Sequence, residues 1–408
     1  MKIAAFIGVF PKISESWFVE QTIPLIALGA DVRIFAFKRG GEADMSEKIR
    51  AAGLMDRVTY LDAPQLFFLR LLYAPPLLLN VALIKPSALW RILGTLKRAR
   101  SLEYLFWVAP LIGKIESCDI VHCHFGMVAN KFLIIKDVLG LTQPFVTTFY
   151  GQDSSKYIQS KGPQVYDRLK KECAMTLTMT NEMTEHFVRI GFPALRVRTH
   201  YTGVSPESYV FTEHSYDSAR VFNMIFVGRF VDKKGIPDVL HAIELVTKQH
   251  KNIMLHIVGG GGTPEFHANI VRITHELGIG PYVRFYGMKP HVEMLDMLKD
   301  MDLMVQLSKT APDGDTDDLP FVLLEAGESG LSALTTRHVG IPDAIRDGET
   351  GFLVPEGDYR AAAEKIVYLI EHPERVREMS LAVHKFVDTT FGLARLNKQL
   401  FELYSSFI

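Results

Sequence analysis

Short apolar runs alternate with helix-like segments through both halves of this 408-residue chain. The alternation is typical of parallel β-sheets covered by helices, because a parallel strand is reached only through a crossover connection. A chain of this length outgrows a single hydrophobic core, so the pattern predicts an α/β protein with two domains. If the two parallel sheets face each other, their strand ends surround one central cleft, where open α/β sheets bind ligands. We therefore expect the chemistry in strand-to-helix loops.

The local sequence pattern predicts the strands, the linker between the two domains and one helix. The predicted strands are Lys2 to Val9, Val32 to Phe37, Ile120 to His122, Phe145 to Thr148, Thr176 to Met179, Val197 to Tyr201, Phe222 to Val227, Met254 to Val258, Val283 to Tyr286, Leu303 to Leu307 and Ala333 to Thr336. The stretch from Ser205 to Ser218 is polar, lacks periodicity and contains a proline, which predicts the interdomain linker. Apolar residues at helical spacing from Gly235 to His250 predict a helix packed on the second sheet.

The balance of charge excludes one class of partner. The chain has 45 lysines and arginines against 46 aspartates and glutamates, for a net charge of −1. This argues against a nucleic-acid partner, which would depend on bulk positive charge. The few cysteines cannot build a disulfide framework, which predicts a reducing, cytoplasmic location. The apolar start, Met1 to Ile7, is expected to be a buried first strand rather than a signal peptide.

The most apolar stretch, Leu66 to Ile84, approaches the length of a membrane span. Arg70, Pro75-Pro76 and Asn80 interrupt it, so we do not expect it to cross a bilayer. Basic residues continue to Arg100, which favours a peripheral position on the inner face of the cytoplasmic membrane, with cations at anionic head groups. A helical hairpin of the core with a solvated basic flank explains the same composition, and the sequence leaves both interpretations open.

The segment from Val227 to Gly235 has the chemistry of a diphosphate site. It leaves a predicted strand through Gly228, carries three cations and enters the predicted helix. Free N–H groups and the dipole at a helix amino terminus favour an anion, and Arg229 and Lys234 add direct charge. Basic residues on the surface around a tight turn are the alternative.

Carboxylates cluster from Asp313 to Asp318, just before a helix predicted to start near Pro320. They could accept hydrogen bonds from sugar hydroxyls, and Glu325, over a turn later, could reach a ribose diol. The same carboxylates could instead cap the helix, because acidic residues stabilise a helix amino terminus without any ligand. No metal is expected here, since EF-hand spacing is absent and Leu319-Pro320 breaks the run.

These segments resemble the large retaining glycosyltransferase family four, whose members have the GT-B fold of two facing Rossmann-like domains. In the second half the similarity keeps the family's order and spacing through Val227 to Gly235, Val258-Gly259, Asp317 to Glu325, Gly340 to Pro342 and Asp347 to Pro355. In the first half it is looser, through Phe10 to Ser16, His122 to Gly126 and Thr148 to Asp153. The first-half motifs are similar to those of the bacterial branch that makes colanic acid, amylovoran and other exopolysaccharides.

The resemblance implies three parts of the chain. Residues 1–205 would form an acceptor-binding Rossmann-like domain and residues 206–388 a nucleotide-sugar-binding one. Residues 389–408 would form a last helix that returns to the first domain. The family works without a bound metal or another cofactor and retains the anomeric configuration.

The resemblance also implies roles at the donor. Arg229 and Lys234 would hold the diphosphate and stabilise charge as it leaves, and Glu325 would bind ribose. Asp317, with the backbone after it, would hold the transferred sugar. The expected donor-binding residues are Gly228, Arg229, Lys234, Gly259, Asp317, Asp318, Leu319, Pro320, Phe321, Val322 and Glu325.

At the acceptor, the loop from Pro11 to Ser16 would border the bound molecule. The expected acceptor-binding residues are Pro11, Ser14, Glu15, Tyr150 and Asp153. Tyr150 and His124 join Arg229, Lys234, Asp317 and Glu325 as expected catalytic residues.

Each of these first-half residues also has a structural interpretation. His122 and His124 could be packed, hydrogen-bonded histidines. Asp153 could anchor its loop, and Ser14 and Glu15 could cap the helix predicted after them.

Four positions depart from the family's pattern. Asp317 replaces a glutamate and is one methylene shorter, and Asp318 replaces a glycine. Tyr150 stands where many relatives carry an active-site histidine, and Val339 replaces the first of two glycines. All four surround the expected sugar pocket, so the nucleotide site is better supported than the identity of the sugar.

The resemblance therefore implies a retaining, metal-independent hexosyltransferase. It would move a sugar from a UDP- or GDP-sugar to a glycan or lipid-linked acceptor in bacterial exopolysaccharide or lipopolysaccharide synthesis. A GT-B nucleotide-sugar epimerase is one alternative. A noncatalytic partner that binds a nucleotide sugar within a glycan-assembly complex is the other.

Overall fold

The computed structural model describes residues 1–12, 15–99 and 101–408, apart from the side chains at positions 43, 98, 99 and 152. The chain divides into two compact units. The first comprises residues 1–178, 184–200 and 394–408, and the second comprises residues 179–183 and 201–393. Each unit contains one parallel sheet covered by helices, which confirms the predicted α/β class with two parallel sheets.

The first sheet has the strand order β3-β2-β1-β4-β5-β6-β7. Its strands are β1 (Lys2–Phe10), β2 (Asp31–Arg39), β3 (Val58–Tyr60), β4 (Ile120–His124), β5 (Phe145–Phe149), β6 (Met175–Thr178) and β7 (Val197–Thr199). Strand β1 is central because both of its faces are apolar and buried, as Phe6 and Ile7 show. The order reverses between β1 and β4, which places the topological switch point at the carboxyl ends of these strands.

Helices cover both faces of the first sheet. They are α1 (Ser16–Ala27), α2 (Glu47–Ala51), α3 (Phe67–Ile84), α4 (Pro86–Ala99), α5 (Glu103–Val108), α6 (Gly126–Leu139), α7 (Gly151–Ser154), α8 (Lys156–Lys161), α9 (Asp167–Glu172), α10 (Asn181–Arg189) and the last helix, α17 (Leu393–Ser405). Leu400 and Tyr404 of α17 are fully buried in the core formed with β1 and β2.

The second sheet repeats the same pattern, with the order β10-β9-β8-β11-β12-β13. Its strands are β8 (Phe222–Arg229), β9 (Ile253–Gly260), β10 (Val283–Gly287), β11 (Leu303–Gln306), β12 (Ala333–Thr336) and β13 (Gly351–Val354). Its helices are α11 (Ile236–Thr247), α12 (Pro264–Glu276), α13 (His291–Leu298), α14 (Phe321–Glu328), α15 (Tyr359–Glu371) and α16 (Pro373–Phe391). Here the switch point lies between β8 and β11, so the carboxyl end of β8 is where a ligand is expected.

The structure differs from the sequence prediction at one edge strand of each sheet and at the predicted linker. The short strands β3 and β13 were not predicted. The predicted linker, Ser205 to Ser218, belongs to the second unit rather than standing free. Its His214 ring bonds the carbonyl of Met301 at 2.7 Å, and Tyr216 packs into the second core.

Candidate functional site

Two glycines draw the loop after β8 against the neighbouring strand ends. Gly235 has a φ of +66°, and a Cβ there would lie 1.7 Å from the carbonyl oxygen of Leu307. Gly259 has a φ of +145°, and a Cβ there would lie 1.8 Å from the carbonyl oxygen of Gly228. Only glycine fits such contacts without a shift of backbone. The 228–235 loop therefore sits directly on the ends of β9 and β11.

Lysines of this loop pair with the carboxylate cluster. Lys234 is buried, and its Nζ lies 2.5 Å from Oδ2 of Asp317. Lys233 Nζ lies 3.3 Å from Oδ1 of Asp315 and donates a hydrogen bond of 2.9 Å to the carbonyl of Thr316. Segments 83 residues apart thus meet at the switch point of the second sheet.

The carboxylates do not cap α14, so that alternative is wrong. Pro320 occupies the N-cap position without a side-chain hydrogen bond, and the first turn contains no acidic residue. Phe321 is exposed, while Leu319 and Val322 are half-buried. The amino end of α14 is therefore left without a side-chain cap, beside carboxylates that pair with lysines instead.

The carboxyl group of Asp318 is buried close to other acidic side chains. Burial, with added repulsion from Asp317 and Glu182, raises the pKa of Asp318 to about 7. Its carbonyl accepts a hydrogen bond of 2.9 Å from the N–H of Gly340, where a Cβ would clash with Thr180. The carboxyl group therefore changes charge near neutral pH.

A buried histidine that the sequence analysis missed supports Asp317. The N–H of Asp317 donates to Nε2 of His338 at 3.3 Å, and Nδ1 of His338 lies 2.6 Å from Oε1 of Glu356. His338 has no exposed surface. His338 precedes the motif Gly340-Ile341-Pro342, and Glu356 follows the motif that ends at Pro355. Their positions beside these motifs are the feature of the sequence that could have indicated a role in the site.

Glu325 is also pre-oriented. It is almost buried on α14, and its Oε1 lies 2.7 Å from Nε2 of His291 and 3.3 Å from the hydroxyl of Tyr209. Neither partner was predicted. Arg229, by contrast, is exposed at the end of β8. Of the two predicted cations, one is therefore buried in an ion pair and the other is open to solvent.

In the first unit, Tyr150 follows β5 and lies against aromatic rings. Its hydroxyl and Nδ1 of His124 are 2.9 Å apart, and its ring centroid is 4.2 Å from that of Trp17. Burial raises the pKa of Tyr150, so its hydroxyl stays protonated. The half-buried Tyr150, rather than the histidine beneath it, is the group that a ligand could touch.

His124 is buried, which corrects its predicted direct catalytic role. Only 1% of it is exposed, and burial lowers its pKa to about 3, so the ring is neutral. Its ring centroid lies 4.0 Å from that of His122, which is bonded to Thr148 at 2.8 Å and to Tyr404 at 2.5 Å. The two histidines are packed and hydrogen-bonded, and His124 contacts the hydroxyl of Tyr150.

Asp153 anchors its loop, so the prediction that it binds an acceptor is corrected. Its side chain is fully buried, accepts a hydrogen bond of 2.7 Å from the N–H of Tyr150, and accepts another from the N–H of Gly126. Preceding Gly126, Phe125 has a φ of +78°. A carboxylate occupied in this way shapes the turns after β4 and β5 and has no surface for a ligand.

The loop before α1 is described in part. Ser14 lies outside the described residues. Glu15 is buried at the N-cap position but makes no capping hydrogen bond, and its Oε1 lies 2.5 Å from Nζ of Lys12. Burial raises the pKa of Glu15. Pro11 is buried. In the described part of the chain, no group of three or more histidines, cysteines or carboxylates is arranged to hold a metal ion.

Comparison with known proteins agrees with this geometry. Residues 219–385 match the family model described as glycosyl transferases group 1. The amylovoran biosynthesis glycosyltransferase AmsK of Erwinia amylovora is 27% identical over 99% of both chains. The putative colanic acid biosynthesis glycosyltransferase WcaL of Salmonella typhimurium is 26% identical over 99% of both chains.

Among solved structures, Anabaena Alr3699/HepE in complex with UDP superposes with a TM-score of 0.76. It is 15% identical and the match covers 99% of both chains. At this identity the likeness speaks for the fold alone, and it confirms the GT-B architecture expected from the sequence.

Proposed function

We propose that this chain, whose residues 219–385 match the glycosyl transferases group 1 family model, transfers a hexose from a UDP- or GDP-sugar to a glycan or lipid-linked acceptor. The second unit would bind the donor, and the first unit would bind the acceptor. The proposed setting is bacterial exopolysaccharide assembly, because AmsK and WcaL, which match nearly the whole chain, are named for amylovoran and colanic acid synthesis.

One observation carries the proposal: the contact of 2.5 Å between Lys234 and Asp317 at the switch point of the second sheet. A buried lysine needs a counter-ion, and Asp317 supplies it in the free protein. A diphosphate would take over this role, since phosphate oxygens form strong charge-assisted hydrogen bonds with ammonium groups. Asp317, released from Lys234, would then accept hydrogen bonds from hydroxyls of the transferred sugar.

The proposed reaction retains the anomeric configuration and needs no metal. The bond between the anomeric carbon and the diphosphate oxygen breaks, and the acceptor oxygen bonds the same face of that carbon. The departing diphosphate takes the proton of the acceptor hydroxyl. Lys234 and the exposed Arg229 stabilise the charge that develops on the leaving group. Glu325, oriented by His291 and Tyr209, would hold the ribose diol.

The substitution Lys234→Ala tests the donor site. We expect affinity for the correct nucleotide sugar to fall about tenfold to a hundredfold, the effect of one lost charge-assisted hydrogen bond. Transfer should fall at least as much. The measurement is a calorimetric binding screen of UDP- and GDP-sugars, followed by incorporation of labelled sugar into lipid-linked acceptors.

Lys309→Ala is the matched control, since it removes another lysine–aspartate pair of the second unit, 2.7 Å from Asp238. This control should change both measurements by less than about threefold, as expected for a partly exposed pair. Normal donor binding and normal transfer by the Lys234→Ala protein would refute the proposed site.

The same assay separates the two alternative functions. An epimerase converts the donor without an acceptor, whereas a transferase consumes donor productively only when an acceptor is present. Donor binding without turnover on a broad panel of acceptors would identify a noncatalytic partner.

A further inference from the structure

Helix α3 turns most of its apolar side chains outward. Only Ala74 and Val81 of this helix are buried, and they lie two turns apart on one narrow stripe. Elsewhere on the helix, Leu72 is 65% exposed and Leu83 is 75% exposed. Other exposed apolar residues of the same helix are Phe67, Phe68, Leu71, Tyr73, Leu79 and Ile84. Apolar surface of this extent marks an interaction site.

Helix α4 extends this surface. It contacts α3 and packs on α6, with Ala88 and Ile92 buried toward the unit. On its outer side Trp90 is 77% exposed and Leu93 is also exposed. We call the exposed apolar residues of α3 and α4 the apolar face. An exposed tryptophan on such a face is typical of a position at a membrane–water interface.

The segment that carries the apolar face contains charges of a single sign. Residues 63–102 contain six lysines and arginines and not one aspartate or glutamate. Lys85 is partly neutralised by Glu116, 2.9 Å away. Arg91 and Lys97 are exposed on α4. The segment itself has no carboxylates to balance the cations at the rim of the apolar face. The surface that binds this face must therefore accept those cations.

We propose that the apolar face lies on an anionic lipid bilayer, with its apolar side chains at the level of the acyl chain boundary and its cations at the phosphates. Anionic lipids attract such cations with about 1 kcal/mol each, which is about fivefold in affinity. A second copy of the chain fits less well, because a symmetric contact would place the same uncompensated cations against each other. This inference does not depend on the proposed reaction.

The geometry favours a position on the membrane over a crossing. Within the described residues α3 is the one helix long and apolar enough to span a bilayer. Yet Ala74 and Val81 hold it on the first unit, and Pro75 and Pro76 lie in its middle. Nε of Arg70 donates to the carbonyl of Pro64 at 2.6 Å, one turn before the helix proper. Crossing would strip α3 from the fold and place Arg70 in hydrocarbon.

The test is flotation of the full chain with vesicles. One set of vesicles contains phosphatidylcholine alone, and the other contains equal parts of phosphatidylcholine and phosphatidylglycerol. The double substitution Leu72→Glu with Leu83→Glu should weaken binding on the order of a hundredfold or more, because it removes two buried leucines from the contact. Leu195→Glu is the matched control, since Leu195 is 95% exposed in the same unit but outside the apolar face. It should bind like the parent chain.

Arg91→Ala with Lys97→Ala should weaken binding to the phosphatidylglycerol vesicles about 25-fold, at about fivefold per cation, and leave binding to phosphatidylcholine alone unchanged. Binding of the parent chain should be released by alkaline carbonate.

Three results would overturn the inference. The first is equal behaviour of the leucine double variant and the Leu195→Glu control. The second is resistance to carbonate extraction, which would indicate a crossing helix. The third is a dimer in the absence of lipid that the leucine double variant dissociates, which would indicate a second copy on the apolar face.

Discussion

The two units hold their candidate residues in opposite electrostatic states. In the second unit, Lys233 and Lys234 are charged and paired with Asp315 and Asp317. In the first unit the two predicted catalytic side chains, His124 and Tyr150, are neutral, because burial lowers the pKa of His124 to about 3 and raises the pKa of Tyr150.

The difference matches two kinds of ligand. A diphosphate is best bound by charges that already lie in place and are balanced until it arrives. A glycan carries no charge at its hydroxyls, and it is recognised by hydrogen bonds and by stacking on aromatic rings such as Trp17 and Tyr150. We infer that the second unit exchanges ion pairs when its ligand binds, whereas the first unit presents the neutral rings of Trp17 and Tyr150.

The largest effect is expected when the ion pair between Lys234 and Asp317 in the second unit is removed. Asp317→Asn keeps the shape of the side chain but removes the charge that balances Lys234. We expect kcat/KM to fall about a hundredfold, because a charged hydrogen bond to the transferred sugar is lost. Steady-state kinetics with the donor varied would measure this. Asp296→Asn, at an exposed aspartate that pairs with Lys299, should stay within about twofold. Equal activity of both variants would contradict the exchange of ion pairs.

A smaller effect is expected on the neutral side. Tyr150→Phe keeps the ring against Trp17 and removes the hydroxyl that contacts His124. Turnover with acceptor varied should fall about tenfold, the value of one hydrogen bond at a half-buried site, while donor affinity should not change. Tyr157→Phe, also half-buried in the first unit, is the control. A loss of donor affinity in the Tyr150 variant would show that the division of roles between the units is wrong.

The smallest effect is a dependence on pH that only the charged unit should show. Asp318 has a pKa of about 7, raised from 3.8 mainly by burial. Its neutral form is therefore favoured below pH 7, and its ionised form repels an anionic donor above it. Donor affinity should fall severalfold as pH rises through 7, and Asp318→Asn should flatten the profile.

The same shift affects stability. A carboxyl whose pKa is raised by folding contributes stability that is fully present below 3.8 and is lost as pH rises through about 7. The Asp318→Asn protein should therefore melt at a higher temperature than the parent at pH 8, with a smaller difference at lower pH. Parallel pH profiles for the two proteins would show that Asp318 does not titrate near neutrality.

Much of the fold follows from local pattern. The apolar runs at β1, β4 and β8 predict buried strands, and the stripe of α11 predicts the helix that packs on the second sheet. The strand β3, Val58–Tyr60, escapes prediction because its three residues are only half-buried at a sheet edge. The strand β13, Gly351–Val354, escapes prediction because it has only four residues and begins with a glycine, which weakens a strand pattern.

The candidate site also contains residues that the sequence predicts and residues that it does not. Arg229, Lys234, Asp317 and Glu325 are found from residue type and position after strands. Their partners are not, because contact depends on which strands are neighbours. Glu325, for example, meets Tyr209 across 116 residues of sequence.

The sequence by itself determined the α/β class and the placement of cations and carboxylates after the strands, since periodicity and loop position are local properties. Only the tertiary structure decided which of these charges form pairs. It also decided that His124 and Asp153 are buried and that the apolar side chains of α3 face outward. The reason is that one apolar run satisfies a core, a partner or a bilayer equally well. Its burial is a property of everything packed around it.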